Sequence, residues 1–301
     1  MLLGSGNLLH HVLDQPWAGC RIELFGLPVT LMSGAMISVL LTGAALIALL
    51  VPMGRRCSYI PSGGQNLLES VIVFVRDTIA RPALHEKAYD YLPFLCTVFV
   101  FIFALNLVGL VPLESISSLL GIGDRYKIGG TPTAVPAVGA ALASLALLAV
   151  VGNGLRSAAH RQHEQKLWPM PLCWLASPML WFVSLSPPVP GAVGRVILVP
   201  MAALELVSAV AKCVALMVRL CANMVAGHML LAVLMYLALE TLKPMLLPPA
   251  EASFHGIYVV PICVLGSVAL NLMELLVAGI QAFIFSIMVA LFLGMYAEAE
   301  H

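Results

Sequence analysis

Long hydrophobic runs dominate the chain, and the charged residues between them predict where helices begin and end. The run at 29–53 contains no charge and exceeds the roughly 20 residues that a helix needs to cross a bilayer. Two further charge-free runs lie at 91–113 and at 133–154. The pattern therefore predicts three membrane spans in the first half of the chain.

The segment at 61–87 has a different pattern. Apolar residues recur there at helical spacing, but charged residues interrupt any continuous apolar run. The apolar positions are Leu67, Leu68, Val71, Phe74, Val75 and Ile79, and the charged positions are Glu69, Arg76, Asp77 and Arg81. This pattern favours an amphipathic helix lying along the membrane interface. A soluble helix packed on another part of the protein is the alternative.

Two long helices are predicted at the end of the chain, at 195–241 and at 252–297. The stretch 201–243 contains no proline, and at about 1.5 Å per residue it would be about 60 Å long. The hydrocarbon layer is only about 30 Å thick. We therefore expect either a strongly tilted helical hairpin in the membrane or a turn near Gly227.

The other segments complete a single membrane domain over 1–301. An outer N-terminal segment is expected at 1–28, and a proline-rich insertion of unknown purpose lies at 167–190. More Lys and Arg residues of the connecting segments fall on the side opposite the N-terminus, which favours an outer N-terminus and about five crossings. The predicted fold class is an all-α integral membrane protein.

Composition supports the membrane class and excludes others. Of 301 residues, 61% are hydrophobic and 10% are charged, and the mean hydropathy is +1.00. Soluble domains have about 25% charged residues. The net charge is zero, so no nucleic-acid partner is expected. The seven cysteines are odd in number and have neither disulfide nor metal spacing. The N-terminus has no signal-peptide or transit-peptide pattern.

One cluster, His160, His163 and Glu164, has side chains that bind metals. Nothing else in the sequence completes a coordination shell, so a charged anchor at the membrane edge is the favoured interpretation. The chain lacks a phosphate-binding loop. We therefore expect no metal, no cofactor and no nucleotide site, and a chain that performs no covalent chemistry itself.

The polar residues of the first long helix share one stripe. At about 100° per residue they lie within about 40° of Arg219, whereas His228 points to the opposite face. The stripe consists of Glu205, Ser208, Lys212, Arg219 and Asn223. A charge in lipid costs several kcal/mol, and arginine keeps its charge at any accessible pH. Arg219 therefore needs an anion, either Glu274 of this chain or a carboxylate of a partner.

The second long helix carries Ser267, Glu274 and Gln281 at intervals of seven, hence on one face. His228 and Glu274 can carry protons, and amides such as Gln281 can orient water. These side chains predict an aqueous path that ends at Arg219. Glu205 and Ser208, at the N-terminal end of the stripe on the first long helix, predict a second path. A fixed cation between two half-channels would admit protons from either side without letting them pass.

These residues occur in recognisable motifs. MVRLCANMVAGH at 217–228 resembles the Arg-Leu-x-x-Asn-x-x-Ala-Gly-His signature of the a subunit of F-type ATP synthases. Three further segments are similar to helices of the same family. They are PSGGQNLLESVIVFVRDTIARP at 61–82, LPFLCTVFVFIFALNLVGLVP at 92–112 and GIQAFIFSIMVALFLGMYAEAEH at 279–301. The chain departs from the family at Cys213, where proline is common, and in the 167–190 insertion.

The resemblance implies a role for each matching residue. Arg219 would be the essential arginine that faces the rotor ring and releases the proton from the ring's carboxylate. The outer half-channel would be lined by Asn223, His228, Glu274, Gln281 and Asn106. The inner half-channel would be lined by Glu205 and Ser208. The two tilted helices would lie against the ring.

The resemblance also implies the partners and the setting. The chain would assemble in a lipid bilayer with a c-ring, with peripheral-stalk b-type subunits and with the rest of the ATP synthase. It would couple proton translocation to ring rotation, for ATP synthesis or ATP-driven pumping. An energy-transducing inner membrane is expected, bacterial rather than mitochondrial because no transit peptide is visible. The alternative function is a stand-alone proton-coupled membrane carrier.

Overall fold

The computed structural model describes the helical body of the chain and one short hairpin. The described residues are 21–24, 27–30, 34–55, 63–111, 132–164, 192–246 and 255–297. The predicted proline-rich insertion at 167–190 and most of the N-terminal segment at 1–28 lie outside these ranges.

Helices account for nearly all of the described residues, which confirms the predicted all-α class. In chain order the elements are β1 (Arg21–Leu24), β2 (Leu27–Thr30), α1 (Gly34–Arg55), α2 (Gly64–Phe74), a π-helical segment (Val75–Ala80), α3 (Arg81–Leu84), a 3-10 turn (His85–Lys87), α4 (Ala88–Leu110), a second 3-10 turn (Pro132–Ala134), α5 (Pro136–Glu164), α6 (Ala192–Leu246) and α7 (His255–Ala297).

Four helical stretches are long and apolar enough to cross a membrane, and a shorter apolar helix accompanies them. The four are Gly34–Arg55, Gly64–Leu110, Val207–Leu242 and Tyr258–Gly294, and the shorter one is Pro136–Ala149. Four to five apolar helices confirm the prediction of a multi-pass integral membrane protein.

The stretch Gly64–Leu110 is helical throughout but not uniform. Its backbone passes through the π-helical segment and then through His85, which has φ 48°. A non-glycine residue in this left-handed region is uncommon and interrupts a helix. The interruption separates α2 and its charged continuation from the apolar α4. The position of α2 at the membrane interface stays a prediction.

The hydrophobic pattern does not predict the β hairpin. β1 and β2 pair antiparallel, with Arg21 opposite Thr30 and Leu24 opposite Leu27. Strands of four residues are at the lower limit at which an apolar–polar alternation can be recognised. For this reason they were not distinguished from the rest of the N-terminal segment.

The two C-terminal helices are longer than the bilayer is thick. α6 has 55 residues and α7 has 43, which correspond to about 82 Å and about 65 Å. α6 continues without interruption through Gly227, so the alternative of a turn at that glycine is wrong. The tilt of the two helices stays a prediction.

The chain divides into two compact units. The first comprises Met1–Pro52, Phe101–Gly139 and Arg219–Gln281, and the second comprises Met53–Val100, Ala140–Val218 and Ala282–His301. In the first unit α1 buries a stripe of small residues that includes Ser38 and Thr42. Their hydroxyls donate to carbonyl groups one turn earlier, at 3.0 and 2.7 Å, so both are satisfied within their own helix.

In the second unit aromatic and small residues join the helices. The ring of Phe74 lies 5.9 Å from that of Phe99 and 6.1 Å from that of Phe283. Near the end of α7, Gly294 approaches the carbonyl group of Ala83 so closely that a Cβ would overlap with its oxygen. These contacts hold α7 against the α2–α3 region. At Gly294 the packing leaves no room for a larger residue.

Candidate functional site

Buried polar side chains gather in the first unit, on α4, the second 3-10 turn, α6 and α7. The exposed fraction is 3% for Asn106, 0% for Thr133, and 7% for both Glu274 and Gln281, while His228 is half-buried. Burying polar groups is unfavourable unless they bind something. Their concentration in one unit therefore marks this place as the candidate site.

Glu274 of α7 lies directly against Gly227 of α6. A Cβ at Gly227 would overlap with Oε1 of Glu274 and would lie 2.6 Å from its Cδ and 3.0 Å from its Cγ. Only glycine lets the carboxyl group come this close to the backbone of the neighbouring helix. Further along the same pair of helices Gly266 faces Leu234, so α6 and α7 pack antiparallel here.

From the resemblance to ATP synthase a subunits we expect Gly227→Ala to lower the rate of proton-driven ATP synthesis by about 10-fold or more, because moving a reacting group by about 1 Å can cost up to about 100-fold. The added methyl group would push the Glu274 carboxyl group out of its position. Synthesis by inverted membrane vesicles, normalised to the amount of assembled complex, measures the effect.

The matched control is Gly266→Ala, in the same pair of helices. Its nearest neighbour would be Leu234 Cδ1 at 3.4 Å, an ordinary contact with a flexible side chain. We expect nearly normal synthesis from this variant. Equal rates for the two variants would contradict a positioning role of Gly227.

His228 is anchored by the main chain of α4. Its imidazole hydrogen-bonds to the backbone of Gly109, and Nε2 is buried without a partner among the described residues. Because Nε2 has no partner there, the bond comes from the other ring nitrogen, Nδ1, which donates to the carbonyl group of Gly109. This bond fixes the orientation of the ring and leaves Nε2 available to bind or release a proton.

Asn106 joins α4 to α7. Its Nδ2 donates to the carbonyl oxygen of Ala278 at 3.4 Å, one turn beyond Glu274. Its Oδ1 is buried and has no partner among the described residues. The resemblance predicts that Asn106 lies beside the outer path, and the structure puts it in the same unit as His228 and Glu274.

Arg219 lies on the surface of the first unit. It is exposed, and Asn223, one turn further along α6, is half-buried. Neither carboxylate oxygen of Glu274 has a hydrogen-bond partner within the described part of the chain. The internal Arg219–Glu274 ion pair that the sequence left open is therefore not formed, and the guanidinium group is accessible to a partner.

The residues at the N-terminal end of the stripe belong to the second unit. Ser208 is half-buried, and the side chain of Glu205 lies outside the described set. Lys212 is exposed, and its Nζ lies 5.3 Å from the centroid of the Phe292 ring. A cation–π contact of this kind is worth about 0.5–1 kcal/mol at an exposed site. It holds the ammonium group against α7.

Sequence reasoning missed a group of contacts in the first unit. Thr133 is fully buried, and its Oγ1 would lie 3.6 Å from a Cβ at Gly109, where the methyl group of Met224 also packs. Next to Thr133, the carbonyl oxygen of Ala134 accepts a bond of 2.9 Å from Cys221 Sγ. No periodicity relates this turn to α6, so hydrophobic patterning had no signal for it.

The described residues contain no group of three or more His, Cys, Asp or Glu side chains able to hold a metal ion. The side chains of the His160, His163 and Glu164 cluster are outside the described set. The interpretation of that cluster as a membrane-edge anchor stays a prediction.

Apolar helices of membrane-spanning length define a multi-pass membrane protein, and the ionisable side chains in their packed interior indicate a functional site within the membrane. The family model described as ATP synthase A chain matches residues 36–294. This match covers most of the chain, which therefore belongs to the ATP synthase A chain family. Membership implies proton translocation in the F-type ATP synthase and assembly with that complex.

Curated relatives named ATP synthase subunit a come from several bacteria. The chain is 28% identical to one from Chloroherpeton thalassium over 310 residues, covering 98% of this chain and 77% of the relative. It is 28% identical to one from Chlorobium phaeobacteroides over 314 residues, covering 99% and 78%. It is 32% identical to one from Myxococcus xanthus over 265 residues, covering 87% and 71%.

Proposed function

We propose that the chain conducts protons through two offset half-channels separated by Arg219 and couples their movement to rotation of a c-ring. The outer half-channel is lined by Asn106, Asn223, His228, Glu274 and Gln281. The inner half-channel is lined by Glu205 and Ser208. The observation that carries this proposal is the combination of a buried Glu274, without a partner among the described residues, with an exposed Arg219.

The outer path rests on the hydrogen-bonding capacity left unused in the first unit. Glu274 has two unpartnered oxygens and His228 has one unpartnered nitrogen, counted among the described residues. Both groups can accept and release a proton without breaking an existing bond at those atoms. Gln281 lies two turns beyond Glu274 on the same face of α7, where its amide can orient water.

The barrier rests on the charge of Arg219. A guanidinium group remains charged and presents several donors to a carboxylate. Because Arg219 is exposed on this chain, the carboxylate it meets belongs to another subunit. A ring carboxylate that arrives protonated from one path would release its proton to the other as it pairs with Arg219.

The contact with the ring is supported by the residues around Arg219. Ala215, Ala222 and Ala226 lie on the same side of α6, and all three are exposed. Small side chains permit close approach between helices in a membrane. A strongly tilted α6–α7 hairpin along the flank of the ring would keep this surface in contact during rotation.

The proposed function also implies which subunits hold the chain and which membrane contains it. The chain would be held by peripheral-stalk b-type subunits while the ring turns, in an energy-transducing inner membrane of a bacterial cell. The same path would serve synthesis and ATP-driven pumping, because a proton can pass it in either direction.

Reconstitution tests the proposal against a stand-alone carrier. The purified chain is placed in vesicles either alone or together with the c-ring, and a potassium diffusion potential drives protons. We expect sustained proton uptake, followed with a pH-sensitive dye, only when the ring is present. Flux by the chain alone that requires an added solute would overturn the proposal in favour of the carrier.

A further inference from the structure

Five buried polar atoms without partners come together in the first unit. They are Asn106 Oδ1, Thr133 Oγ1, His228 Nε2 and both carboxylate oxygens of Glu274, and none has a hydrogen-bond partner in the described part of the chain. They belong to four separate elements. Buried polar atoms of native proteins nearly always bind something, so each of these atoms is a candidate to bind water.

The side chain of Met224 packs on Gly109, close to two of these groups. It is 5% exposed and stands one turn before His228 on α6. Its methyl group occupies the position that a Cβ at Gly109 would take, and Thr133 Oγ1 is 3.6 Å from the same point. His228 binds the backbone of that same glycine. The methionine tip, the Thr133 hydroxyl and the His228 ring therefore all lie next to Gly109.

Methionine is suited to move from this place. It is unbranched, has three rotatable bonds and adapts to its surroundings with little strain. Gly109 has no side chain that would hold the methyl group in place. If the tip swings aside, a water molecule in its place has polar partners within reach, as a stable buried water requires.

We propose that Met224 is a gate in the outer half-channel, an inference that rests on the proposed function. With its methyl group on Gly109 it separates Thr133 from His228. When it swings aside, water links the Thr133 hydroxyl to Nε2 of His228, and the amide oxygen of Asn106 can orient that water by accepting a hydrogen bond. The water and the hydroxyl group each take up one proton and release another, so no other reactant is needed.

Ordinary core packing makes different predictions for the same residue. Leucine conserves the apolar volume, and such exchanges are usually tolerated in a core. A purely structural Met224 would therefore accept Met224→Leu, and Met224→Ala would lower only the amount of assembled complex. If Met224 is a gate, Met224→Leu is the more harmful exchange. The branched leucine side chain cannot swing aside as methionine does, whereas alanine leaves the path open.

The test measures proton-driven ATP synthesis per assembled complex at alkaline outer pH, where proton uptake limits the rate. We expect Met224→Leu to be about 3- to 10-fold slower, the effect of about one lost hydrogen-bonded link. Met224→Ala should equal or exceed the wild type. Thr133→Val, which removes only the hydroxyl group, should be slowed as Met224→Leu is.

Leu220→Ala is the matched control, since Leu220 is 6% exposed and lies one turn earlier on the same helix. It should reduce assembly without changing the rate per complex. A wild-type rate for Met224→Leu, or a fall of Met224→Ala below Leu220→Ala, would overturn the gate. If Met224→Ala does not assemble, Met224→Leu and Thr133→Val decide.

Arg219→Ala, measured in parallel, separates this inference from the function on which it rests. If Arg219→Ala abolishes synthesis while Met224→Leu behaves as the wild type, the gate is refuted and the half-channel function stands. If Arg219→Ala supports synthesis, the proposed function itself is refuted.

Discussion

Arg219→Ala is expected to abolish proton-driven ATP synthesis while the complex still assembles. Arg219 is exposed, so its removal leaves no cavity in the packed interior. What is lost is the charge that, in the proposed function, pairs with a ring carboxylate. At about 4 Å and an effective dielectric constant of about 20 this attraction is about 4 kcal/mol, or about a thousandfold in rate. ATP synthesis by vesicles with an imposed proton gradient measures it.

Lys212→Ala is the control for this result. Lys212 is a cation on the same stripe, two turns earlier, and it is also exposed. Its contact with Phe292 is worth about 0.5–1 kcal/mol, and no half-channel role is assigned to it. We expect nearly normal synthesis. Substantial synthesis by an assembled Arg219→Ala complex would show that Arg219 is a structural residue and not the barrier.

Glu274→Gln is expected to slow proton uptake from the outer side by about 10-fold or more. Glutamine keeps the size of the side chain and its position against Gly227, but it cannot carry a proton. A positioned acid–base group typically contributes about 10²- to 10⁴-fold to a proton transfer. The expected loss is smaller than this range because water can carry part of the flux. The rate of ATP synthesis at stepped outer pH measures the change.

Glu205→Gln is the matched exchange on the inner side. It removes a carboxylate from the inner half-channel instead of the outer one, so it should affect proton uptake from outside much less than Glu274→Gln does. The inner side should show the reverse order when ATP hydrolysis drives pumping. Equal and small effects of the two exchanges in both directions would refute the assignment of the two paths.

The membrane class and most of the helices could be predicted from the chain alone. Apolar runs such as 29–53 and 91–113 exceed the length needed for a span, and no soluble fold could bury so many apolar residues. The structure has helices in both places, α1 and α4. The hairpin of β1 and β2 was missed because strands of four residues carry too little periodicity.

The faces of α6 could also be predicted, because helical geometry is local. A step of about 100° per residue puts Arg219 and His228 on opposite faces. The structure has Arg219 exposed and His228 turned inward to Gly109. Whether Arg219 pairs with Glu274 could not be predicted, because the distance between two helices depends on the residues packed between them.

The sequence by itself determined which residues carry charge, which segments are helical and which side chains share a helix face, since each of these depends on neighbours a few positions away. Only the tertiary structure decided that Glu274 rests on Gly227 without an ion-pair partner in the described chain and that Thr133 meets Met224 over Gly109. These contacts join residues far apart in the chain. They depend on how closely the helices pack, which no local pattern specifies.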